Sequence, residues 1–547
     1  MLRLSGRWDS IFDEGPRAQL EALLPAWLQA RRWFAGKARV VRSVAIADAI
    51  PISTTVGRAC VALVHVEYGD AEPDIYALPL AFATGTDAAR MESESPGLVI
   101  ARTEAAEAEL RGVLHDATVS TAFATALLDA IIHGRSFAGA RSRIDCSPTP
   151  SLTELGIRDA TMLAPKLSAA EQSNTSIRFG DRLLLKLFRR PPAGINPDLE
   201  IGRMLTARRF PNTPPLVGAI EYRSRTGEER TLGVLHGFVP GAIDGWEFTL
   251  AALGRFCEML RSPGAPDGLR EPPPPGLDGS AQSPGADTEF LPGEYLDGAR
   301  LLARRTAEMH LALAADCKNP GFVPEPFAAE WPREFRSSLH ELTARTLALL
   351  SGNLDSLGGE SRALAAAVIA AEPEIAARID RLDDASPSGR RIRIHGDYHL
   401  GQTLHAGRDF FIVDFEGEPS LPLSERRIKR TPLHDVAGML RSFDYAAHAA
   451  LRREFESGAI PAASVPHFIS QAERWTRWVS ATFIESYIAR IGTSDLLSAD
   501  VNERGLLLDL HLLRKAVYEL GYEANNRPDW LPIPCRGILA LLGRNGG

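Results

Sequence analysis

Asp397, Gln402, Asp414 and Glu416 lie in one stretch, RIRIHGDYHLGQTLHAGRDFFIVDFEGEP at positions 391–419. Their types and spacing suit phosphoryl transfer, in which catalysis is positioning plus charge neutralisation because little covalent chemistry falls to the protein. Asp397 has the chemistry to orient an attacking hydroxyl and accept its proton. Gln402, five positions on, and Asp414, with Glu416 beside it, offer the hard oxygen donors that suit Mg2+. A lone H-x-D is most often an ordinary polar turn. The complete H-x-D-x4-Q followed by I-V-D-F-E is far more specific.

Two β-branched runs, Ile392–Ile394 and Phe410–Val413, predict the strands that deliver these loops. Upstream, a strand, a Gly180-Asp181 turn and a second strand, Leu183–Phe188, read as a hairpin. Lys186 falls inside that apolar run, where an unpaired ammonium is costly. Glu200 follows fourteen positions later, in a helix begun by Asn196 and Pro197. A strand lysine paired with a helix glutamate is the device that holds the α- and β-phosphates of ATP in kinases. The polar run Gln172, Ser173, Asn174, Thr175 and Ser176 would then cover the phosphates with N–H and hydroxyl donors. No GxGxxG or GxxxxGK[ST] is present, so a P-loop is not supported.

Around these residues the chain divides into three parts. Residues 1–150 read as a small α+β module: a helix at Gln19–Ala30, strands at Val40–Ile50, Ala59–Tyr68 and Gly97–Ile100, and helix over Ala105–Gly134. Its motif Arg31-Arg32-Trp33-Phe34-Ala35-Gly36-Lys37 reads as a corner with aromatics packed under arginine stems, against the alternative of a cation–aromatic cluster serving catalysis or binding. Residues 151–241 are β-rich and nucleotide-binding, ending in a hinge-like Gly237–Gly241. Residues 242–547 are mostly helical, with a helix over Arg362–Arg381 and a Pro/Gly-rich insertion at about 262–292. His310 reads as a helix-packing histidine. Arg426, Arg427, Lys429 and Arg430 follow the acidic loop and suit neutralisation of phosphate and carboxylate charge. Asp435, at the start of a helix, is placed to hold the catalytic loop by its N–H groups. Near the C-terminus, Tyr518, Glu523, Asn526 and Trp530 combine polar groups with aromatic faces, as a sugar site does; a packed C-capping turn is the alternative.

Composition narrows the class. The chain has 547 residues, 45% hydrophobic and 24% charged, with a formal net charge of −8, which argues against a dedicated nucleic-acid binder. Five scattered cysteines without paired spacing suit reduced thiols and give no zinc pattern. No signal peptide or transmembrane-length apolar run is visible, so a cytoplasmic protein with no membrane partner is expected.

Taken in order, EQSNTS, LLLKLF, NPDLEIG, HGDYHLGQ, DFEGEP, DVAGMLRSFDY and NNRPDW, preceded by RRWFAGK, resemble the maltokinases, within the aminoglycoside-phosphotransferase-like kinases. The resemblance spans nearly the whole chain. It implies a bilobal, protein-kinase-like α+β fold with an N-terminal α+β cap and a mostly helical C-lobe. It also implies Mg2+ as cofactor, ATP and maltose as substrates, maltose 1-phosphate as product, and trehalose synthase as a further partner. Carried onto this chain, Lys186 and Glu200 hold phosphates, Asp397 is the base, Gln402 and Asp414 bind the metal, and Glu416 joins either the metal or the sugar. His399, Arg427, Tyr518, Glu523, Asn526 and Trp530 face the sugar. A glycosidase-like half is not visible, and the insertion departs from the family pattern. The rival readings are a kinase for glucosamine, an aminoglycoside or another sugar, and a silent nucleotide-binding scaffold for trehalose synthase.

Overall fold

A computed structural model describes the chain except residues 5–7, 56–57, 70, 106, 108–109, 169–172, 263–268, 270, 272–275, 279–292, 316–317, 384, 386, 493 and 545–547. Gln172 and most of the Pro/Gly-rich insertion therefore lie outside the described residues. The fold resolves into two units, Met1–Arg209 with Pro214–Pro240, and Phe210–Thr213 with Gly241–Gly547.

The first unit holds two sheets. One contains β1 (Leu2–Arg3), β2 (Val41–Ile52), β3 (Arg58–Tyr68), β4 (Asp74–Thr84), β5 (Val99–Glu104) and β6 (Gly112–Asp116), in the order β1-β5-β6-β4-β3-β2. Helix α1 (Glu14–Gln29) lays Leu20, Leu24, Trp27 and Leu28, spaced at helical intervals, into its core. α2 (Gly85–Glu94) follows β4. The expected helix over 105–134 is corrected to a strand, β6, and a shorter helix, α3 (Thr121–His133). Val113 and Leu114 are drawn into pairing with β4 and β5, and long-range sheet burial overrides local helical spacing. Ser120 caps α3 by accepting the Phe123 N–H. The RRWFAGK motif is a packed corner. Trp33 and Phe34 are buried, Trp33 lies under the Arg189 guanidinium at 4.8 Å, and a Cβ on Gly36 would meet Tyr68 Oη at 2.6 Å.

The other sheet contains β7 (Ser136–Ala138), β8 (Ser142–Pro148), β9 (Pro165–Leu167), β10 (Thr175–Phe179), β11 (Leu183–Leu187), β12 (Leu216–Ser224) and β13 (Glu229–Gly237), ordered β7-β8-β12-β13-β11-β10-β9. α4 (Pro150–Glu154) and α5 (Pro197–Ala207) belong to the same unit. β10 and β11 form the expected hairpin, with Ser176 opposite Lys186.

In the second unit β14 (Ile243–Asp244) leads into α6 (Gly245–Arg261), with Asp244 capping through the Trp246 N–H at 2.7 Å. Then come α7 (Gly293–Ala314), β15 (Glu325–Pro326), α8 (Trp331–Asn353), α9 (Gly359–Ala370) and α10 (Glu372–Asp380). The last two replace the single helix expected over 362–381; the chain breaks at Ala371, where Pro373 favours starting a new helix over continuing the old one. β16 (Arg390–Arg391), β17 (Thr403–Ala406) and β18 (Asp409–Ile412) frame the acidic stretch. α11 (Leu423–Arg426), α12 (Leu433–Glu456), α13 (Val465–Ile491), α14 (Val501–Asn526) and α15 (Pro532–Leu541) complete the unit. The strand expected at Ile392–Ile394 is reduced to a bridge: Ile392 exchanges both backbone hydrogen bonds with Arg430, at 2.9 and 2.8 Å. No described helix is long and apolar enough to cross a membrane.

Candidate active site

The loop after Ile394 is fastened on both sides. Asp435, fully buried at the start of α12, accepts the N–H groups of His395 at 2.8 Å and Gly396 at 2.9 Å. Gly396 has φ +82°, which a residue with a Cβ adopts only under strain. Ser442, two turns along α12, accepts the Leu400 N–H at 3.1 Å. Between them Gly438 lets the helix touch the loop, since a Cβ there would lie 2.6 Å from the Tyr398 carbonyl oxygen. From α7, Thr306 meets the Tyr398 hydroxyl at 2.8 Å, and His310 reaches Asp435 at 3.1 Å and the Tyr487 hydroxyl at 2.8 Å. Burial raises the proton affinity of Asp435, but hydrogen bonds and charge from the surrounding histidines outweigh it and keep the carboxylate ionised.

His395 is a pin within this frame. Its ring is buried between Tyr398 and Phe415. Nε2 donates to the Val413 carbonyl at 2.9 Å while Nδ1 lies 3.4 Å from the Asp397 N–H. That bond ties the Asp397 loop to the following acidic loop.

Asp397 emerges from the frame with its side chain 17% exposed, 3.9 Å from both Lys515 Nζ and His399 Nε2. Burial raises its pKa to about 6; Lys515 opposes the rise, and Glu418 and Asp414 add to it. His399 is pushed down to about 4 by burial and by the Lys515 and His395 charges, so it is neutral near pH 7, with Nδ1 accepting the Gly401 N–H at 3.1 Å. Tyr518 donates to Glu418 at 3.0 Å, and Lys515 lies 5.2 Å over the Tyr518 ring. Lys515 and Glu418 were not among the sequence candidates. The signal was available for Lys515, which is three residues before Tyr518 and so on the same helical face.

Gln402 ends a short helical turn begun by His399, and its carbonyl accepts the Val413 N–H at 3.0 Å. Asp414 takes a left-handed backbone, φ +67°, rare for a residue with a Cβ. It turns back so that a carboxylate oxygen comes within 4.8 Å of one on Glu416. Two carboxylates and an amide oxygen on linked loops are a donor set that fits Mg2+, which takes few protein ligands and keeps room for phosphate oxygens.

In the first unit, Asp198 faces Lys186 at 3.4 Å, two positions before the expected partner, Glu200. Asn196 caps α5 through the Asp198 N–H at 2.8 Å with Pro197 next, which sets the helix phase. Residues 197, 198, 199, 201, 202, 204 and 205 are buried, and Glu200 is partly exposed. His236 Nε2 also approaches Asp198, at 3.6 Å. Burial works to raise the Asp198 pKa, but Lys186 and His236 hold it well below the usual carboxylate range. Thr175 accepts from Arg189 Nε at 2.7 Å, and Ser173 and Asn174 form the bend entering β10.

The remaining candidates divide. Arg426 is committed to the carbonyls of Leu421 and Pro419, and Lys429 to Pro320 and Glu325; both brace loops. Arg427 is exposed on the same segment. Glu523 is buried against Tyr445 and Arg527, the Asn526 amide bonds back to Tyr522, and Trp530 stacks on Tyr445 and under Arg527. These three build the end of α14, whereas Tyr518 is turned toward Glu418.

Residues 27–119 match the maltokinase N-terminal cap domain. A glucosamine kinase of Streptacidiphilus jiangxiensis is 26% identical over 378 residues, 68% of this chain and 72% of the relative. A glucosamine kinase of Mycolicibacterium smegmatis is 26% identical over 374 residues, 68% of this chain and 78% of that protein. Among solved structures, a glucosamine kinase in complex with glucosamine, ADP and inorganic phosphate has a TM-score of 0.59 at 20% identity, covering 95% of this chain and 97% of the other. Crystal form A of glucosamine kinase gives 0.60, also at 20% identity, covering 98% and 99%. That structural likeness is one of fold: mixed helix and strand, with an N-terminal cap and a mostly helical C-terminal region. The chain is thus similar to the maltokinases in its N-terminal cap and to glucosamine kinases over about two thirds of its length.

Proposed function

We propose that this protein is an ATP- and Mg2+-dependent sugar kinase whose acceptor is maltose and whose product is maltose 1-phosphate. The observation that carries the kinase reading is Asp397: a half-buried carboxylate, its pKa lifted to about 6, on a loop held by Asp435. Near neutral pH it is mostly ionised yet still basic enough to accept a proton, the compromise general-base catalysis favours.

In the proposed reaction a sugar hydroxyl gives its proton to Asp397 as its oxygen bonds to the γ-phosphorus of ATP. The bond to the bridging oxygen breaks and ADP leaves. Lys515 holds Asp397 in place and offsets the repulsion from Glu418 and Asp414. Tyr518, Glu418 and His399 are the acceptor-side groups. Lys186, steadied by Asp198 and His236, binds nucleotide phosphates; Ser173, Asn174, Thr175 and Ser176 contribute donors. Gln402, Asp414 and Glu416 would hold Mg2+, which when bound neutralises charge on the phosphate oxygens. Binding free maltose and ATP calls for no membrane and no nucleic acid; a cytoplasmic setting and a working link to trehalose synthase, as the source of maltose, belong to the same proposal.

Maltose is favoured by the ordered motifs of the maltokinases and by the maltokinase cap at 27–119. Glucosamine is the second reading, favoured by the names of both relatives. ADP release from Mg2+–ATP is the test, with maltose, glucose, glucosamine and an aminoglycoside as acceptors and Asp397→Asn as control. Turnover with maltose that the variant loses supports the proposal. Turnover with glucosamine alone moves the acceptor and keeps the chemistry. An absence of turnover with every acceptor overturns the kinase reading.

A further inference from the structure

Behind the catalytic loop four basic side chains are gathered with little to neutralise them. The rings of His434, on α12, and His511, on α14, lie 5.6 Å apart, and His511 packs 4.9 Å from Phe335 of α8. The Arg514 guanidinium covers the same phenyl ring at 5.5 Å, and its Nη1 donates to Ser338 at 3.2 Å. Arg430, fixed by its backbone to Ile392, places its charge within reach of all three: its field lowers the proton affinity of His434, His511 and Arg514.

His511 is 5% exposed, and neither ring nitrogen has a hydrogen-bond partner among the described residues; His434 Nδ1 lies 3.8 Å from Asp435 Oδ1. A buried polar side chain with both nitrogens unsatisfied is costly unless something reaches it. The acids facing the group are two. Asp435 is committed mainly to His310 and to two backbone N–H groups, with His434 Nδ1 3.8 Å from its Oδ1; Glu425 is exposed, and its main-chain carbonyl contacts Arg430 at 3.5 Å. Arg430, His434 and Arg514 are each partly exposed, so solvent has access. Burial, then the neighbouring Arg430, lowers Arg514 to about 10, the mark of positive charge with too little compensation.

We propose that Arg430, His434, His511, Arg514 and Ser338 form an oxyanion-binding site for a phosphate group, distinct from the phosphoryl-transfer residues. Forked guanidinium donors and imidazole N–H groups are the chemistry that recognises phosphate. Two sources share that chemistry, free phosphate and a sugar phosphate monoester. The site touches the catalytic frame at two points. His434 precedes Asp435, and Arg514 precedes Lys515, so an anion seated there bears on both groups that hold the Asp397 loop. The inference does not depend on the acceptor or on catalysis.

Equilibrium dialysis with radiolabelled inorganic phosphate tests it, using the full chain without nucleotide. Wild type and Lys186→Met should each bind one phosphate that Arg430→Gln/Arg514→Gln loses. Each guanidinium removed should weaken binding about tenfold or more, the worth of a charge-assisted hydrogen bond. Competition by glucose 6-phosphate identifies the source: displacement at tenfold lower concentration than phosphate marks a monoester site, and equal displacement marks free phosphate. If the double variant fails to fold, Arg430→Gln alone, at a partly exposed position, gives the same comparison. Phosphate binding that is unchanged in these variants, that Lys186→Met abolishes, or that is absent from wild type would overturn the proposal.

Discussion

Replacing Asp397 by Asn should make the protein more stable while removing its activity. The carboxylate is held in a partly desolvated site beside Glu418 and Asp414, and its pKa rises from 3.8 to about 6 despite Lys515. Each unit corresponds to about 1.4 kcal/mol, so keeping this group ionised in the folded state costs of order 2–3 kcal/mol. An acid whose folded pKa exceeds its unfolded value binds more protons when folded. Wild-type stability therefore falls as pH rises from about 4 to 6 and levels off above that. Asn preserves the shape and removes the charge, so Asp397→Asn should exceed wild type by that 2–3 kcal/mol at pH 8 and match it near pH 4. Urea unfolding of the nucleotide-free, Mg2+-free protein, followed by fluorescence across this range, measures the gap. Turnover should drop about 10²–10⁴-fold, the usual contribution of a general base. A variant no more stable than wild type at pH 8, or equally advantaged at pH 4, would refute the reasoning.

Other outcomes follow from the same geometry. Lys515→Met removes the main charge that lowers the Asp397 pKa, so the acidic limb of the kcat/KM–pH profile should move upward from about 6; an unmoved limb would separate Lys515 from Asp397. Asp435→Ala leaves two buried N–H donors and His310 without their acceptor and should lose about 3–5 kcal/mol of stability, read by urea unfolding. Lys186→Met strands the buried Asp198 and should lower both stability and turnover. Adding Asp198→Asn should recover the stability, measured by thermal melting, and leave turnover with ATP low.

The catalytic stretch was legible because phosphoryl transfer constrains residue type and spacing within a short segment, and because Gly396, His395 and Asp435 serve that one loop. Lys186 was legible for a similar reason, as a cation inside an apolar strand. Asp198, which lies 3.4 Å from Lys186, was missed because its approach depends on helix phase, which the Asn196 cap fixes only once the helix is built. Glu418 was missed because nothing local marks it, and Lys515 although its spacing from Tyr518 puts both on one helical face; α14 and the loop after Glu416 bring them to Asp397 from over a hundred residues away and from about twenty. At the C-terminus, Glu523, Asn526 and Trp530 have the composition of a sugar site, and their contacts around the end of α14, which only the folded helix brings together, were not legible in the sequence. Helical spacing around Leu110–Leu114 misled because sheet pairing with β4 and β5 outweighs local propensity.

The most direct test of the central claim is the identity of the phosphorylated product. Phosphorus NMR of the enzyme with Mg2+–ATP and maltose should reveal ADP together with a phosphate monoester coupled to the anomeric proton, absent with Asp397→Asn. ATP consumed only to inorganic phosphate, or the same ester formed at an undiminished rate by Asp397→Asn, would contradict the account.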